Sequence, residues 1–437
     1  MKNLYIETYG CQMNVADSEV VAAILSDNYQ IMTDPKSADL FLMNTCSVRD
    51  NAEQRIRKRL RELAALKKRN PQLIVGLLGC MAERLKERLL SEEHILDFIA
   101  GPDAYRTLPT LIQDASDGKH AFNVILSIQE TYDDIDPIRY DGNGVSAFIS
   151  IMRGCNNFCT YCVVPYTRGR ERSRNPKTIL HEAQQLIDKG YKEVTLLGQN
   201  VNSYHWNEED DTIVDFAALI EMVALLSPQL RVRFATSHPK DISDSLIEKI
   251  AKHENICSYI HLPVQSGSDR MLKKMNRVYD STYYLERIAA IKRMIPDCGI
   301  TTDLIVGFCD ETEEDHQDTL KMMETVGYNS AYMFKYSVRK GTKAANDFED
   351  NVPEEMKARR FDEVLNLQQR LALESNQRDV GKTFTVLVEG VSKKSDEQLF
   401  GRNSQNKVIV FPKANHQIGD YATVTVTRCT QATLLAD

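Results

Sequence analysis

The apolar residues of this chain fall into short runs separated by longer amphipathic stretches. Leu4-Tyr-Ile-Glu-Thr-Tyr9, Leu40-Phe-Leu-Met43 and Leu73-Ile-Val-Gly-Leu-Leu78 have the length and density of buried strands. Residues 17–26 and 49–69 lie between them and read as helices, the second with Ile56, Leu60, Leu63 and Leu66 at helical spacing. Strand–helix alternation predicts a parallel sheet of Rossmann or flavodoxin type over residues 1–126. An acidic, turn-rich stretch, 127–144, reads as a linker. Six further strand candidates follow, residues 147–152, 194–197, 231–235, 259–262, 302–306 and 331–336. They alternate with helix-length segments, which predicts a partial (βα)6 barrel over 145–375. A helix is expected over 352–378. Short strands at 383–388, 407–411 and 421–426 are broken by Gly390, Gly401 and Gly419, as in a small β-barrel over 376–437.

Charge and composition narrow the picture only slightly. With 437 residues and a net charge of −8, the chain is neither a membrane protein by hydropathy nor a nucleic-acid binder by overall charge. The first ten residues lack the apolar core of a signal peptide, so a cytoplasmic location is expected. In that reducing compartment the ten cysteines are expected to be thiols or metal ligands. Two segments are locally basic. Residues 55–69 hold eight positive charges and one negative, with Arg55 and Arg59 on the polar face. A solvated surface is the alternative to RNA contact there. Arg168, Arg170, Arg172 and Arg174 follow closely after a cysteine motif, where forked guanidinium donors suit phosphate.

The cysteines carry the chemistry. Cys155, Cys159 and Cys162 stand in Gly154-Cys-Asn-Asn-Phe-Cys-Thr-Tyr-Cys162. Zinc sites commonly take four ligands, and no fourth lies near, so an iron–sulfur cluster with one open iron is the better reading. Cys11, Cys46 and Cys80 are 35 and 34 residues apart, and each follows one predicted strand. In a parallel sheet the carboxyl ends share one edge, so the three should converge; taken singly, each is as well explained as a core residue. Cys257, Cys298, Cys309 and Cys429 have no ligand spacing. Polar residues at other strand ends (Gly198, Gln199, Ser237, Gln265 and Gly307) are candidates for holding a cofactor.

Together these motifs resemble the methylthiotransferase family of radical S-adenosylmethionine enzymes. The resemblance implies an auxiliary 4Fe–4S cluster on Cys11, Cys46 and Cys80. It implies a second 4Fe–4S cluster on Cys155, Cys159 and Cys162 that binds S-adenosylmethionine, with Tyr161 at the family's aromatic position. A C-terminal TRAM barrel that binds RNA completes the pattern. Thr8-Tyr-Gly-Cys-Gln-Met-Asn14 is similar to the branch that methylthiolates isopentenylated adenosine 37 of tRNA. The branch acting on an aspartate of ribosomal protein S12 usually has Pro-Lys after the first cysteine, and here Gln12-Met13 stands there. The implied partners are tRNA, an electron donor such as flavodoxin or ferredoxin, and a sulfur or cluster donor protein; a monomer is expected. The family's usual Gly-Phe-Pro-Gly-Glu reads Gly307-Phe-Cys-Asp-Glu311 here, which removes a residue suited to positive φ.

Overall fold

In the computed structural model, residues 1–47, 50–208 and 211–437 are described. The chain divides into two compact units. One holds 1–141, 148–156 and 162–178; the other holds 142–147, 157–161 and 179–437.

The first unit is built on a six-stranded parallel sheet. Its strands are β1 (Lys2–Tyr9), β2 (Tyr29–Ile31), β3 (Leu40–Thr45), β4 (Ile74–Gly79), β5 (Phe98–Ala100) and β6 (Ala121–Asn123), in the order β2-β1-β3-β4-β5-β6. Helices α1 (Gln12–Leu25), α2 (Asp50–Arg69), α3 (Cys80–Leu85), α4 (Glu87–Glu92) and α5 (Leu108–Ser116) connect them. Alternation along β3 explains why both faces are covered. Leu40 and Leu42 pack with Val21 and Leu25 of α1 and Leu108 of α5. Phe41 and Met43 pack with Ile56, Leu60 and Leu63 of α2. Expected helix 49–69 is found as α2; its first expected residue, Arg49, lies outside the described residues. The expected linker is not a bare connection. Tyr132 is buried in this unit's core and stacks on Tyr105, with ring centroids 5.6 Å apart. Arg172 holds the same segment through the carbonyls of Ser127 (2.6 Å) and Glu130 (3.1 Å).

In the second unit, strands Glu193–Leu197 and Arg231–Ala235 pair in parallel. Tyr259–His261, Gly299–Val306 and Ser330–Lys335 form a second parallel set. The bridge Val232–Ile256 links the two sets. Lys192 and Glu193 donate backbone N–H to Val145 O, just before the strand Ser146–Ser150. Parallel strands in this order agree with the expected partial barrel. The helix Glu354–Gln377 then leads to a closed five-stranded barrel, ordered Thr383–Ser392, Ser395–Arg402, Val408–Pro412, Leu434–Ala436, Tyr421–Cys429. Two buried arginines of one strand hold this barrel in place: Arg231 Nη1 donates to Arg402 O (2.6 Å) and Arg233 Nη2 to Asn403 O (2.7 Å).

Candidate functional site: two cysteine sets, each beside a buried arginine

Register explains how the first three cysteines meet. Tyr9 of β1 pairs with Thr45 of β3, and Thr45 with Gly79 of β4. Cys46 and Cys80 are the next residues after those ends, and Cys11 stands two residues beyond Tyr9. All three therefore leave the sheet at its carboxyl edge. Cys11 is exposed, whereas Cys46 and Cys80 are buried.

A polar network shapes this edge. Cys11 caps α1, and its backbone N–H donates to Asn14 Oδ1 at 3.2 Å. Asn14 Nδ2 donates to Asn44 Oδ1 (3.1 Å), and Asn44 Nδ2 donates to Asn14 O (2.9 Å) and Ser18 Oγ (3.0 Å). Space is tight: a Cβ on Gly10 would stand 2.3 Å from Asn14 Oδ1 and 2.8 Å from Cys46 Cβ. Only glycine permits that approach. A hydrogen bond with Cys46 pulls the Cys11 thiol down to about 6, with help from the Arg168 charge. Burial pushes the Cys80 thiol up, and Arg168 works against that. Among the described residues no His, Cys, Asp and Glu side chains form a group of three suited to one metal ion. Cluster ligation asks for a different arrangement, one thiolate on each of three irons. Thiols from three adjacent strands, beside a cation that favours their ionised form, fit that donor set.

Arg168 is held by Asp17. Its Nη2 donates to Asp17 Oδ2 at 2.8 Å, while Arg153 Nη1 donates to Asp17 Oδ1 at 2.7 Å. Arg172 pairs with Asp103 at 2.9 Å. Arg168, Arg172 and Arg174 are thus buried, at 2%, 7% and 5% exposure, and this corrects the expectation that they face a phosphate. Arg174 Nε donates to Thr178 Oγ1 at 3.0 Å. Arg170 is exposed. On α2, Arg55 is exposed, but Arg59 pairs with Glu7 at 2.6 Å and with Glu62 at 2.9 Å. Part of the basic face is thereby neutralised.

The CxxxCxxC loop is tied down residue by residue. Cys155 N–H donates to Gly169 O at 3.1 Å, and Val164 N–H to Cys162 Sγ at 3.5 Å. Cys159 Sγ accepts from Arg277 Nη1 at 3.3 Å. Arg277 is itself fixed by Pro263 O (2.7 Å) and by Tyr279 Oη, to which its Nε donates at 2.8 Å. Tyr161 is half-buried and sets its ring edge-on to Phe308.

The expected cofactor residues sit at strand ends of the second unit. Gly198 N–H donates to Ala235 O (3.1 Å) and Val201 N–H to Thr236 O (2.9 Å), which joins the loop of Gly198 and Gln199 to that of Ser237. Gln265 has φ +74° and bridges to the strand that ends at Val306. Gly307 has φ +70°, and a Cβ there would lie 2.3 Å from Lys357 Cγ. Several buried polar atoms here have no hydrogen-bond partner: Asn200 Oδ1, both amide atoms of Asn202, Ser237 Oγ and His238 Nε2. Burial takes the His238 imidazole down to about 2, so it is neutral. Unspent buried donors and acceptors are costly, and this set fits a polar cofactor.

Comparison with known proteins matches three stretches of the chain. Residues 3–101 match an uncharacterised protein family, 149–323 the radical SAM superfamily and 377–437 the TRAM domain. A "tRNA-2-methylthio-N(6)-dimethylallyladenosine synthase" of Bacteroides fragilis is 57% identical over 99% of this chain and 95% of its own length. The protein of that name from Bacteroides thetaiotaomicron is 58% identical with the same coverage. The chain belongs to this family of synthases. A relative from Porphyromonas gingivalis is 54% identical over all of this chain. Among solved structures, the radical S-adenosylmethionine methyltransferase TsrM from Kitasatospora setae aligns with TM-score 0.56 at 13% identity, covering 76% of this chain and 73% of its own. The cobalamin-dependent radical enzyme OxsB aligns with TM-score 0.53 at 10% identity, covering 84% of this chain and 56% of its own. At such identities the likeness is one of fold. Arg277, Asp17, Arg153 and Asn202 stand among these candidate residues or on their side chains, and sequence reasoning did not single them out. Isolated arginines and asparagines carry no spacing signal, and only packing reveals their partners.

Proposed function

We infer that this chain transfers a methylthio group to C2 of N6-dimethylallyladenosine in tRNA, at position 37 of the anticodon loop. The observation that carries the reading is the convergence of Cys11, Cys46 and Cys80 at one sheet edge, in a chain 57–58% identical to synthases of that name. In this reading Cys11, Cys46 and Cys80 hold an auxiliary 4Fe–4S cluster, and Cys155, Cys159 and Cys162 hold the cluster that binds S-adenosylmethionine. When bound, these groups supply the sulfur and the radical needed at an unactivated aromatic C–H. The chain's own residues do the rest. Arg277 holds Cys159 in place. Tyr161, Gly198, Gln199, Ser237, Gln265 and Gly307 line the cofactor's strand-end site, with Asn200, Asn202 and His238 offering buried polar atoms to it. RNA contact falls to Arg55, Arg170 and the C-terminal barrel, since small barrels of this kind often bind RNA. A low-potential carrier, flavodoxin or ferredoxin, would supply electrons, and a sulfur or cluster donor would restore the auxiliary site.

The test is anaerobic reconstitution followed by incubation with reductant, S-adenosylmethionine and isopentenylated tRNA, then nuclease digestion and mass analysis. A methylthio adduct on the modified adenosine is the expected result. Release of 5′-deoxyadenosine with unaltered tRNA would overturn the substrate assignment and leave the radical chemistry standing.

A further inference from the structure

Arg168 combines three observations that its sequence position does not foretell. It follows the CxxxCxxC motif by six residues, yet its charge acts on Cys80 and Cys11. The short helix Val164–Thr167, whose first carbonyl accepts the Arg168 backbone N–H at 2.8 Å, packs on α3, which begins at Cys80. The side chain is fully buried, and while Nη2 is spent on Asp17, Nη1 has no hydrogen-bond partner. The same side chain meets the Cys80 sulfur, so an Nη1 donor left without a hydrogen bond, which costs stability, stands at the cysteine edge.

Charge balance points the same way. Three buried arginines, Arg153, Arg168 and Arg172, face two buried carboxylates, Asp17 and Asp103. Glu83, also near Asp103, stands 4.0 Å from Lys86 and is pushed up to about 7 by burial, so near neutral pH it offsets only part of the excess. A net positive charge is left for whatever anions gather at the cysteine edge. Arg153 is spent elsewhere: its Nη2 donates to Pro102 O (2.9 Å), its face lies on the Tyr132 ring (4.9 Å), and its Nε, also without a hydrogen bond, stands 3.5 Å from Asp103. Arg172 is tied to Asp103, Ser127 and Glu130.

We propose that Arg168 is the positioning residue for an anionic sulfur ligand, sulfide or methanethiolate, at the open iron of the auxiliary site, with Asp17 orienting the guanidinium so that Nη1 donates to that sulfur. The proposal rests on the auxiliary cluster assigned above. A guanidinium suits the task because one edge can be spent on Asp17 while another donor stays free, which a lysine ammonium achieves less well.

Sulfide binding to the reconstituted, reduced full-length enzyme tests this. Excess S-adenosylmethionine occupies the other cluster, and the auxiliary cluster's electron paramagnetic resonance signal is followed as sodium sulfide is added. In Arg168→Gln the apparent Kd for sulfide is expected to rise by about tenfold or more, the scale of outer-sphere partners at metal sites, with iron and acid-labile sulfide content as in the parent. Arg168→Lys should recover part of that loss. If both variants carry full iron and bind sulfide as the parent does, the proposal is overturned and Arg168 is a packing residue. If Arg168→Gln loses iron, Arg168→Lys decides: weaker sulfide binding at full iron content supports the proposal, and unchanged binding overturns it. The parent's methylthio product, measured in parallel, separates failure of this proposal from failure of the functional reading.

Discussion

Each cysteine set has one buried arginine beside it, and the two are held differently. Arg277 donates to a protein sulfur, Cys159 Sγ, and its other partners among the described residues are the neutral Pro263 carbonyl and Tyr279 hydroxyl. Its charge is therefore committed to the Cys159 sulfur. Arg168 also meets a cysteine, Cys80, but it is anchored by a carboxylate that it shares with Arg153, and its Nη1 has no hydrogen-bond partner. The contrast fits two jobs. On the functional reading proposed above, the cation at the CxxxCxxC loop would stabilise a permanent ligand, and the one at the sheet edge would meet a group that comes and goes. Hydrogen bonds to sulfur are among the levers that set cluster potentials, so if both proposed clusters are present, two arginines of equal charge need not tune them alike.

The largest expected effect separates the two sets outright. Cys46→Ala should lose roughly half of the reconstituted iron, the share of one of two such clusters. It should make no methylthio product and still release 5′-deoxyadenosine. Cys159→Ala should lose the other half and release none. Iron analysis and product chromatography read both, and equal loss of 5′-deoxyadenosine in the two variants would erase the distinction drawn here.

Next in size is the anchor. Asp17→Asn leaves Arg153 and Arg168 buried without their shared carboxylate. Breaking a buried ion pair by removing one partner costs about 3–5 kcal/mol, so thermal unfolding of the iron-free chain should fall by several degrees. A shift under one degree would mean that the thiolates, not Asp17, hold Arg168.

A smaller effect depends on pH. Burial raises the Glu83 carboxyl from its ordinary 4.5 to about 7. A carboxyl whose folded pKa is raised contributes stability that is fully present below 4.5 and is lost as pH rises through 7. Over that window the loss is about 3 kcal/mol. Glu83→Gln should match the parent at pH 5 and exceed it at pH 8 in chemical denaturation. A constant difference at both pH values would rule out the titration.

Much of this was legible before any coordinates. Three cysteines each following an apolar run could be placed on one edge, because parallel strands share a carboxyl edge, and the pairing of Tyr9, Thr45 and Gly79 bears that out. The barrel strands were readable because buried parallel strands are continuous apolar runs. The strand Ser395–Arg402 was not, since Asp396, Glu397 and Gln398 break the alternation while Leu399 alone reaches the barrel core. Strands β2, β5 and β6 are three residues each, too short for any period to show. The arginine run 168–174 misled for a physical reason: a guanidinium on phosphate and one on a buried aspartate leave the same mark in sequence, and only burial tells them apart.

The smallest expected effect concerns the loop 307–311, where the family's glycine is replaced by Asp310. Asp310 stands in the left-handed region, with φ +60°. Aspartate tolerates this region better than most residues, yet it still carries a cost of about 1–2 kcal/mol relative to a right-handed conformation. Local contacts offset it. Asp310 N–H donates to Asn351 Oδ1 at 2.8 Å, its carbonyl accepts from Arg270 Nη2 at 2.6 Å, and its carboxylate meets Lys274 and Asn351. Asp310→Gly relieves the strain and forfeits an exposed ion pair worth about 0–1 kcal/mol, so its stability should lie within about 1 kcal/mol of the parent. Asp310→Ala keeps the strain and loses the same carboxylate, so it should be destabilised by about 1 kcal/mol or more. Denaturant midpoints of the two variants decide the matter. If alanine were tolerated as well as glycine, the left-handed backbone would have relaxed, and the loop would be set by its sequence and not by the strand and helix that frame it.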